Sequence, residues 1–169
     1  MTIVGIDPGI AGAIVALNPD LTVRLSWAAD EKPSERLARV GGYAVGGWDV
    51  RGLIEELRAL APARVVMETP LAFARGGVST ALATGIGYGT LRACVLAAGL
   101  SLEDVTPAAW SRAILGSPPK GGWEGQKKAA AMAVCRERLP GLELVLPGRR
   151  VPHDGIADAG CLALYGITR

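Results

Sequence analysis

Residues 2–17 read TIVGIDPGIAGAIVAL, and this stretch predicts how the fold begins. An apolar β run ends on a carboxylate, Asp7, and a Pro-Gly turn leads into a second apolar run over residues 13–17. Glycine allows such a sharp reversal without a steric penalty. Asp7 is therefore predicted to stand at the end of a rigid strand, where a carboxylate can anchor a divalent cation. An ordinary hairpin, in which Asp7 only begins the turn, explains the same letters equally well.

Length and composition predict one globular domain over residues 1–169. Half of the 169 residues are hydrophobic, which is typical of an α/β protein. No apolar run has the length of a membrane span and no signal peptide is recognisable, so no membrane partner is expected. The three cysteines are far apart, which predicts reduced, buried thiols in a cytoplasmic protein. The net charge of +2 does not indicate a nucleic-acid partner, although residues 120–150 form a modestly basic region.

Two further strands extend the predicted sheet. Residues 21–27 alternate between apolar and polar side chains, which predicts a third strand and thus an antiparallel meander. Residues 64–67 predict a buried fourth strand that ends on a second carboxylate, Glu68. A helix precedes it, so a right-handed crossover should place this strand parallel to one of the first three. If that neighbour is the first strand, Glu68 and Asp7 emerge side by side at the sheet edge where ligands bind.

The segments around these strands are interpreted mainly as helices. Residues 28–47 predict a loop with a short helix, and Asp49 and Ser79 are predicted to cap helices over residues 50–60 and 79–98. Three small residues share one face of the longer helix, which predicts close packing on the sheet or on another subunit: Ala81, Gly85 and Gly89.

The second half of the chain predicts a fifth strand over residues 100–105 and a helix that starts at Thr106-Pro107 and carries Trp110. An Ala-rich helix over residues 126–139 opens with Lys127 and Lys128. Positive charge in a first turn opposes the helix dipole, so these lysines are expected to face an anion.

A last helix, from about residue 154 to residue 165, carries Asp154 and Asp158 on one face. Asp154 is also predicted to be the N-cap of this helix. Four carboxylates from three elements are thus expected to converge: Asp7, Glu68, Asp154 and Asp158. A carboxylate cluster without histidine ligands favours Mg²⁺ or Mn²⁺, and two such ions can promote phosphodiester hydrolysis. His153, the only histidine, is either a helper at this site or incidental.

The order of these parts resembles the RuvC-like Holliday-junction resolvases of the RNase H-like superfamily. The likeness covers nearly the whole chain through VGIDPGIAG, VMETP, GGVSTALATGIGYG, VTPAAWSRAILG and HDGIADAGCLALYG, and its later parts are most similar to phage-encoded members. The resemblance implies an α/β, RNase H-like fold with a five-stranded mixed sheet, an antiparallel meander plus parallel strands, flanked by helices. It also implies a homodimer that nicks four-way DNA junctions in pairs, with two Mg²⁺ ions per site, in a bacterial cytoplasm or that of a phage host.

The same resemblance assigns roles to residues of this sequence. Asp7, Glu68 and Asp158 match the acids of the family, and Asp154 matches the partner acid, although its spacing of four differs from the usual three. The family's basic residue maps onto Lys120 or Lys127, and Lys127 is expected to be catalytic. DNA contacts are expected from five residues: Phe73, Arg75, Lys120, Lys127 and Lys128. Phe73 fits a core or dimer-interface position equally well.

Other classes of protein share parts of this pattern. Actin-like ATPases and sugar kinases also open with a D-x-G-x-x-G hairpin, but their second phosphate hairpin and adenosine motif are absent here. Another RNase H-like nuclease, acting on RNA or branched DNA, would carry the same acids. A non-catalytic junction-binding relative would gain nothing from negative charge beside phosphates.

Overall fold

The hairpin at the amino terminus forms the middle of a five-stranded sheet. The computed structural model describes residues 1–9, 12–28, 44–45, 48–70, 78–120, 122–123 and 125–169. The strands are β1 (Thr2–Asp7), β2 (Ala13–Leu17), β3 (Val23–Ala28), β4 (Ala44–Val45), β5 (Trp48–Asp49), β6 (Ala63–Glu68) and β7 (Ser101–Val105). The helices are α1 (Val50–Ala59), α2 (Val78–Ala97), α3 (Pro107–Leu115), α4 (Lys127–Arg138) and α5 (Asp154–Ile167).

Strand β1 is central in the sheet, whose order is β3-β2-β1-β6-β7. The first three strands are antiparallel, whereas β6 runs parallel to β1 and β7 parallel to β6. The predicted meander and the parallel course of the strand that ends on Glu68 are confirmed. The sequence left open which of the first three strands is its neighbour, and the structure shows that it is β1. Ile6 lies opposite Met67 in the register. The acids that follow them, Asp7 and Glu68, therefore end neighbouring strands at the same edge.

Helices cover both faces of the sheet. Helix α5 lies on one face, with α3 and α4 beside it, and α1 and α2 pack on the other. Strand β1 is buried on both sides, which explains why its sequence is almost continuously apolar.

Helix α5 lies directly on β1 at a glycine. A Cβ atom at Gly5 would stand 2.1 Å from the Ala159 carbonyl oxygen and 2.4 Å from the Ala163 nitrogen. Farther along the helix, a Cβ at Gly166 would meet the side chain of Ile3. Helix α5 therefore runs antiparallel to β1, and its first turns lie toward the end of the strand that carries Asp7.

Local predictions for the helices were partly wrong. Helix α1 begins directly after Asp49, as predicted, but Ser79 lies inside α2 and is not its N-cap. The prediction that the small-residue face of α2 packs on the sheet was wrong. Ala81, Gly85 and Gly89 are exposed, and a Cβ at Gly85 or Gly89 would meet no described atom within 4 Å. Contact of this face with another subunit stays a prediction.

The predicted loop and short helix over residues 28–47 lie largely outside the described residues. At the end of that range, β4 and β5 pair as a small antiparallel ribbon. The three cysteines are buried, as predicted, and form no disulfide among the described residues. No helix in the described part of the chain is long and apolar enough to cross a membrane.

Candidate active site

Four acids meet at the carboxyl edge of β1 and β6. Asp7 and Glu68 are the last residues of these two strands, and Asp154 and Asp158 occupy the first two turns of α5. The antiparallel course of α5 over β1 brings those turns to Asp7. The charges of the other three acids all act on Asp7, so the convergence predicted from the sequence is present.

Asp7 is held in an enclosed and electronegative position. Burial, together with the nearby charges of Glu68, Asp158 and Asp154, raises the pKa of its carboxyl to about 7 against one opposing hydrogen bond. In that bond the backbone N–H of Gly9 donates to Oδ1 of Asp7 over 3.0 Å. The turn thus fixes the direction of the carboxylate, while its surroundings disfavour its charge.

Asp158 is also buried near other acids, but a lysine ammonium partly offsets the effect on its pKa. The pKa of its carboxyl is raised to about 6, mainly by burial and also by the charges of Glu68 and Asp154, while the ammonium of Lys127 opposes the rise. Its Oδ1 is buried and has no hydrogen-bond partner among the described residues. A buried acceptor without a donor is costly, and a bound cation would satisfy it.

Glu68 is positioned by a tryptophan and a lysine. The buried indole of Trp110 donates its Nε1–H to Oε2 of Glu68 over 2.5 Å. The ammonium of Lys127 lies 3.9 Å from the same oxygen and 4.2 Å from the centre of the Trp110 ring.

Asp154 is paired with the other lysine of the same helical turn. Lys128 donates a hydrogen bond to Oδ2 of Asp154 and forms an ion pair with it. Burial alone would raise the pKa of Asp154, but the hydrogen bond and charge of Lys128 outweigh it and lower the pKa. Both lysines that open α4 thus face anions, as the helix-dipole argument predicted, and these anions are acids of the site.

The N-cap of α5 is His153, so the prediction that Asp154 would be the N-cap was wrong. Nδ1 of the buried His153 accepts a hydrogen bond from the backbone N–H of Ile156 over 3.2 Å. Asp154 is the first residue of the helix instead. Its carboxylate is thereby left for Lys128 and the acid cluster.

The other three residues predicted to contact DNA do not take part in the described contacts of the acid cluster. Lys120 is exposed on the segment between α3 and α4. Phe73 and Arg75 lie outside the described residues. Their expected contacts with DNA stay predictions.

Trp110 is the residue of the site that sequence reasoning missed. The predicted helix start is confirmed, since the Thr106 side chain accepts a hydrogen bond from the backbone N–H of Ala109 and Pro107 follows. The available signal was chemical, because a buried indole N–H usually requires an acceptor. The nearest acid in the fold is far away in the sequence.

The donor set fits a hard divalent cation, although it is not a ready-made cage. All four acids offer oxygen ligands, as Mg²⁺ prefers, and the buried Oδ1 of Asp158 has no other partner among the described residues. In the described part of the chain, no three His, Cys, Asp or Glu side chains are arranged to hold a metal ion. Two lysines stand next to acids of the cluster instead.

Two solved structures of RuvC from Thermus thermophilus are similar to this chain. One, in complex with a Holliday junction substrate, is 21% identical with a TM-score of 0.63, over 98% of this chain and 91% of that chain. The other is 20% identical with a TM-score of 0.60, over 98% of this chain and 92% of that chain. The predicted RuvC-type, RNase H-like fold is thus confirmed. No model of a known protein family and no curated protein matches the chain.

Proposed function

We propose that this protein is a structure-specific endonuclease that resolves four-way DNA junctions by paired, symmetric nicks. One observation carries the proposal: four acids meet at the edge of β1 and β6 in a chain that has the fold of a RuvC bound to a Holliday junction. A cluster of mutually repelling carboxylates weakens folding and DNA binding unless a cation is bound. The cluster is therefore best explained by catalysis.

The proposed cofactor is Mg²⁺, with Mn²⁺ as an alternative, and two ions per site. Asp7, Glu68 and Asp158 would hold metal, and Asp154 would complete the second position. Two such ions, when bound, lower the pKa of a water nucleophile and offset charge on the leaving oxygen. Hydrolysis of this kind leaves a 5′-phosphate and a 3′-hydroxyl.

The two lysines of α4 have distinct proposed tasks. Lys127 stands beside Glu68 at 3.9 Å, which is too long for a hydrogen bond, so its donors are available to a scissile phosphate. Lys128 would exchange Asp154 for a DNA phosphate when a cation takes over that carboxylate. Lys120, Phe73 and Arg75 are proposed to contact the arms of the junction.

A homodimer is proposed because two symmetric cuts require two sites. An exposed apolar strip on α2 supports it. Leu82 is 62% exposed and Ile86 is 45% exposed, with the exposed Gly85 and Gly89 between and beside them. We call these four residues the α2 strip. Small residues in it would let a second copy approach the helix closely.

A gel cleavage assay tests the proposed function. Purified protein with Mg²⁺ is incubated with a labelled four-way junction, a linear duplex and an RNA–DNA hybrid, each with an EDTA control. We expect symmetric nicks in the junction only, lost with EDTA. The variants Asp7→Asn and Glu68→Gln should cut about 10³-fold more slowly while binding the junction normally, because a metal ligand contributes several kcal/mol to the transition state.

Glu55→Gln is the matched control, because Glu55 is an exposed acid on α1, on the other face of the sheet. It should cut like the wild type. Cleavage of the hybrid instead would make the protein a ribonuclease. Tight junction binding without any cleavage would make it a binding protein.

A further inference from the structure

The indole of Trp110 contacts both Glu68 and Lys127, the first through its N–H and the second through its ring face. It lies on α3 and is fully buried in the core that α3 shares with α5 and one face of the sheet. A tryptophan there could serve packing alone. Its polar edge is, however, directed at an acid of the cluster, Glu68, and its ring face at the neighbouring Lys127.

The edge of the indole restrains the carboxylate of Glu68. Nε1–H donates to Oε2 over 2.5 Å, and an ionised carboxylate has about four acceptor positions. One donor therefore fixes the orientation of Glu68 and leaves other lone pairs for a cation. A metal ligand restrained in this way by a neighbour loses less conformational entropy on binding.

The face of the indole restrains the ammonium of Lys127. A cation within about 6 Å of a tryptophan ring centre is attracted by its electron-rich face. Here Nζ lies 4.2 Å from the ring centre and 3.9 Å from Oε2 of Glu68. The ring thus holds the ammonium beside the carboxylate without a direct hydrogen bond that would occupy both groups.

We propose that Trp110 is a positioning residue that orients Glu68 for metal binding through its N–H and places Lys127 through its ring. The inference rests on the proposed function, because it concerns the same site. It adds that two parts of one side chain have separate roles, the N–H toward Glu68 and the ring toward Lys127. Phenylalanine would keep the ring and remove the donor, and leucine would remove both.

Metal binding without DNA is the first test. Mn²⁺ and Mg²⁺ affinities are measured by calorimetry for the wild type, Trp110→Phe, Trp110→Leu and Trp27→Phe. Trp27→Phe is the matched control, because Trp27 is also a buried tryptophan but lies on β3 and packs on the other face of the sheet. Trp110→Phe should bind metal about tenfold more weakly, the typical effect of losing a group that orients a ligand. Trp27→Phe should bind like the wild type.

The rate of junction cleavage distinguishes the role of the indole N–H from the role of the ring. Trp110→Phe should recover most of the wild-type rate at saturating Mg²⁺, because Lys127 still has its ring. Trp110→Leu should stay about tenfold slower at saturating metal, because a misplaced catalytic group lowers the rate itself. An equal rate for both variants at saturating metal would overturn the role of the ring.

Proton NMR of the indoles of the wild-type protein gives a readout that does not depend on a core substitution. The chain has four tryptophans, and the resonance of Trp110 is identified by its loss in Trp110→Phe. The Nε1 proton of Trp110 should shift on addition of Mg²⁺ and in Glu68→Gln, while that of Trp27 should not.

A Trp110 resonance that ignores both changes, or a Trp110→Phe variant with wild-type metal affinity, would overturn the inference. A wild type that binds neither ion would do so as well. Failure of the wild type to cut any junction would refute the proposed function alone, since the calorimetry and the NMR contain no DNA.

Discussion

Asp7 shows how a single side chain at this site opposes stability. Burial and three neighbouring acids raise the pKa of its carboxyl from 3.8 to about 7. The folded protein therefore binds this proton more tightly than the unfolded chain does. Stability from this group is present at low pH and is lost as the pH rises from about 4 through 7. Without a cation, an ionised Asp7 destabilises the fold.

Asp7→Asn should therefore stabilise the metal-free protein, although it slows cleavage about 10³-fold. Asparagine keeps an oxygen that can accept from the Gly9 N–H and removes the charge. The free energy of unfolding of Asp7→Asn should exceed that of the wild type by an amount that grows between pH 4 and 7. The difference should reach about 4 kcal/mol at most, since each pKa unit corresponds to about 1.4 kcal/mol. Urea unfolding in EDTA at several pH values measures it. A constant difference across this range would contradict the prediction, and Glu55→Gln is again the control.

Helix α5 delivers two of the four acids, and the glycine beneath it sets its position. The backbone of α5 lies so close to β1 that only a residue without a side chain fits at position 5. The placement of Asp158 at the carboxyl edge of the sheet thus depends on the close contact between the backbone of α5 and Gly5 of β1. We therefore expect a substitution at this contact to lower both the free energy of unfolding and the proposed cleavage activity.

Gly5→Ala should damage both properties. The added Cβ would stand 2.1 Å from a backbone oxygen of α5, so the helix must shift. We expect a loss of about 3 kcal/mol or more in unfolding free energy, at the upper end for overpacked cores, and a fall in cleavage of roughly a hundredfold.

Chemical unfolding and the junction assay check the two effects of Gly5→Ala. Gly141→Ala is the matched control, because a Cβ there meets no described atom within 4 Å. It should change the unfolding free energy by less than about 1 kcal/mol. Equal behaviour of the two variants would show that α5 does not rest on Gly5 as described.

In the molecule as a whole, α2 links its exposed strip to the turn beside the site. On the inner side of the helix, a Cβ at Gly87 would lie 3.7 Å from the Pro8 carbonyl oxygen, next to Asp7. On the outer side lies the α2 strip, with Leu82 and Ile86 largely in solvent. A second copy that packs on this strip would hold the two active sites at a fixed separation.

The double variant Leu82→Glu/Ile86→Glu should be monomeric. Charges in an apolar contact must be desolvated, which opposes association. Light scattering should report the 17.4 kDa of one chain, and a plasmid with an extruded four-way junction should be nicked once instead of being linearised. Val145→Glu, at an apolar position that is 42% exposed in the loop after α4, should retain the mass and paired cutting of the wild type. Equal masses for all three proteins would refute an interface at the α2 strip.

The sequence by itself determined the antiparallel meander of the first three strands, the parallel course of β6 beside one of them, and the positions of the acids along the chain. These features follow from local periodicity, turn chemistry and the handedness of a crossover, all of which can be evaluated over short segments. The cap at Thr106 was predictable for the same reason. The resemblance to RuvC-like resolvases added the expectation of a single five-stranded mixed sheet flanked by helices.

Only the tertiary structure decided which groups meet across the chain. It paired Lys128 with Asp154, brought Trp110 and Lys127 to Glu68, and turned the small residues of α2 outward. His153 took the N-cap that was predicted for Asp154. The partners of each long-range pair lie on different elements, and Trp110 and Glu68, for example, are 42 residues apart in the sequence. Their contact depends on how helices pack on the sheet, and the spacing of residues in the sequence carries no direct information about that packing.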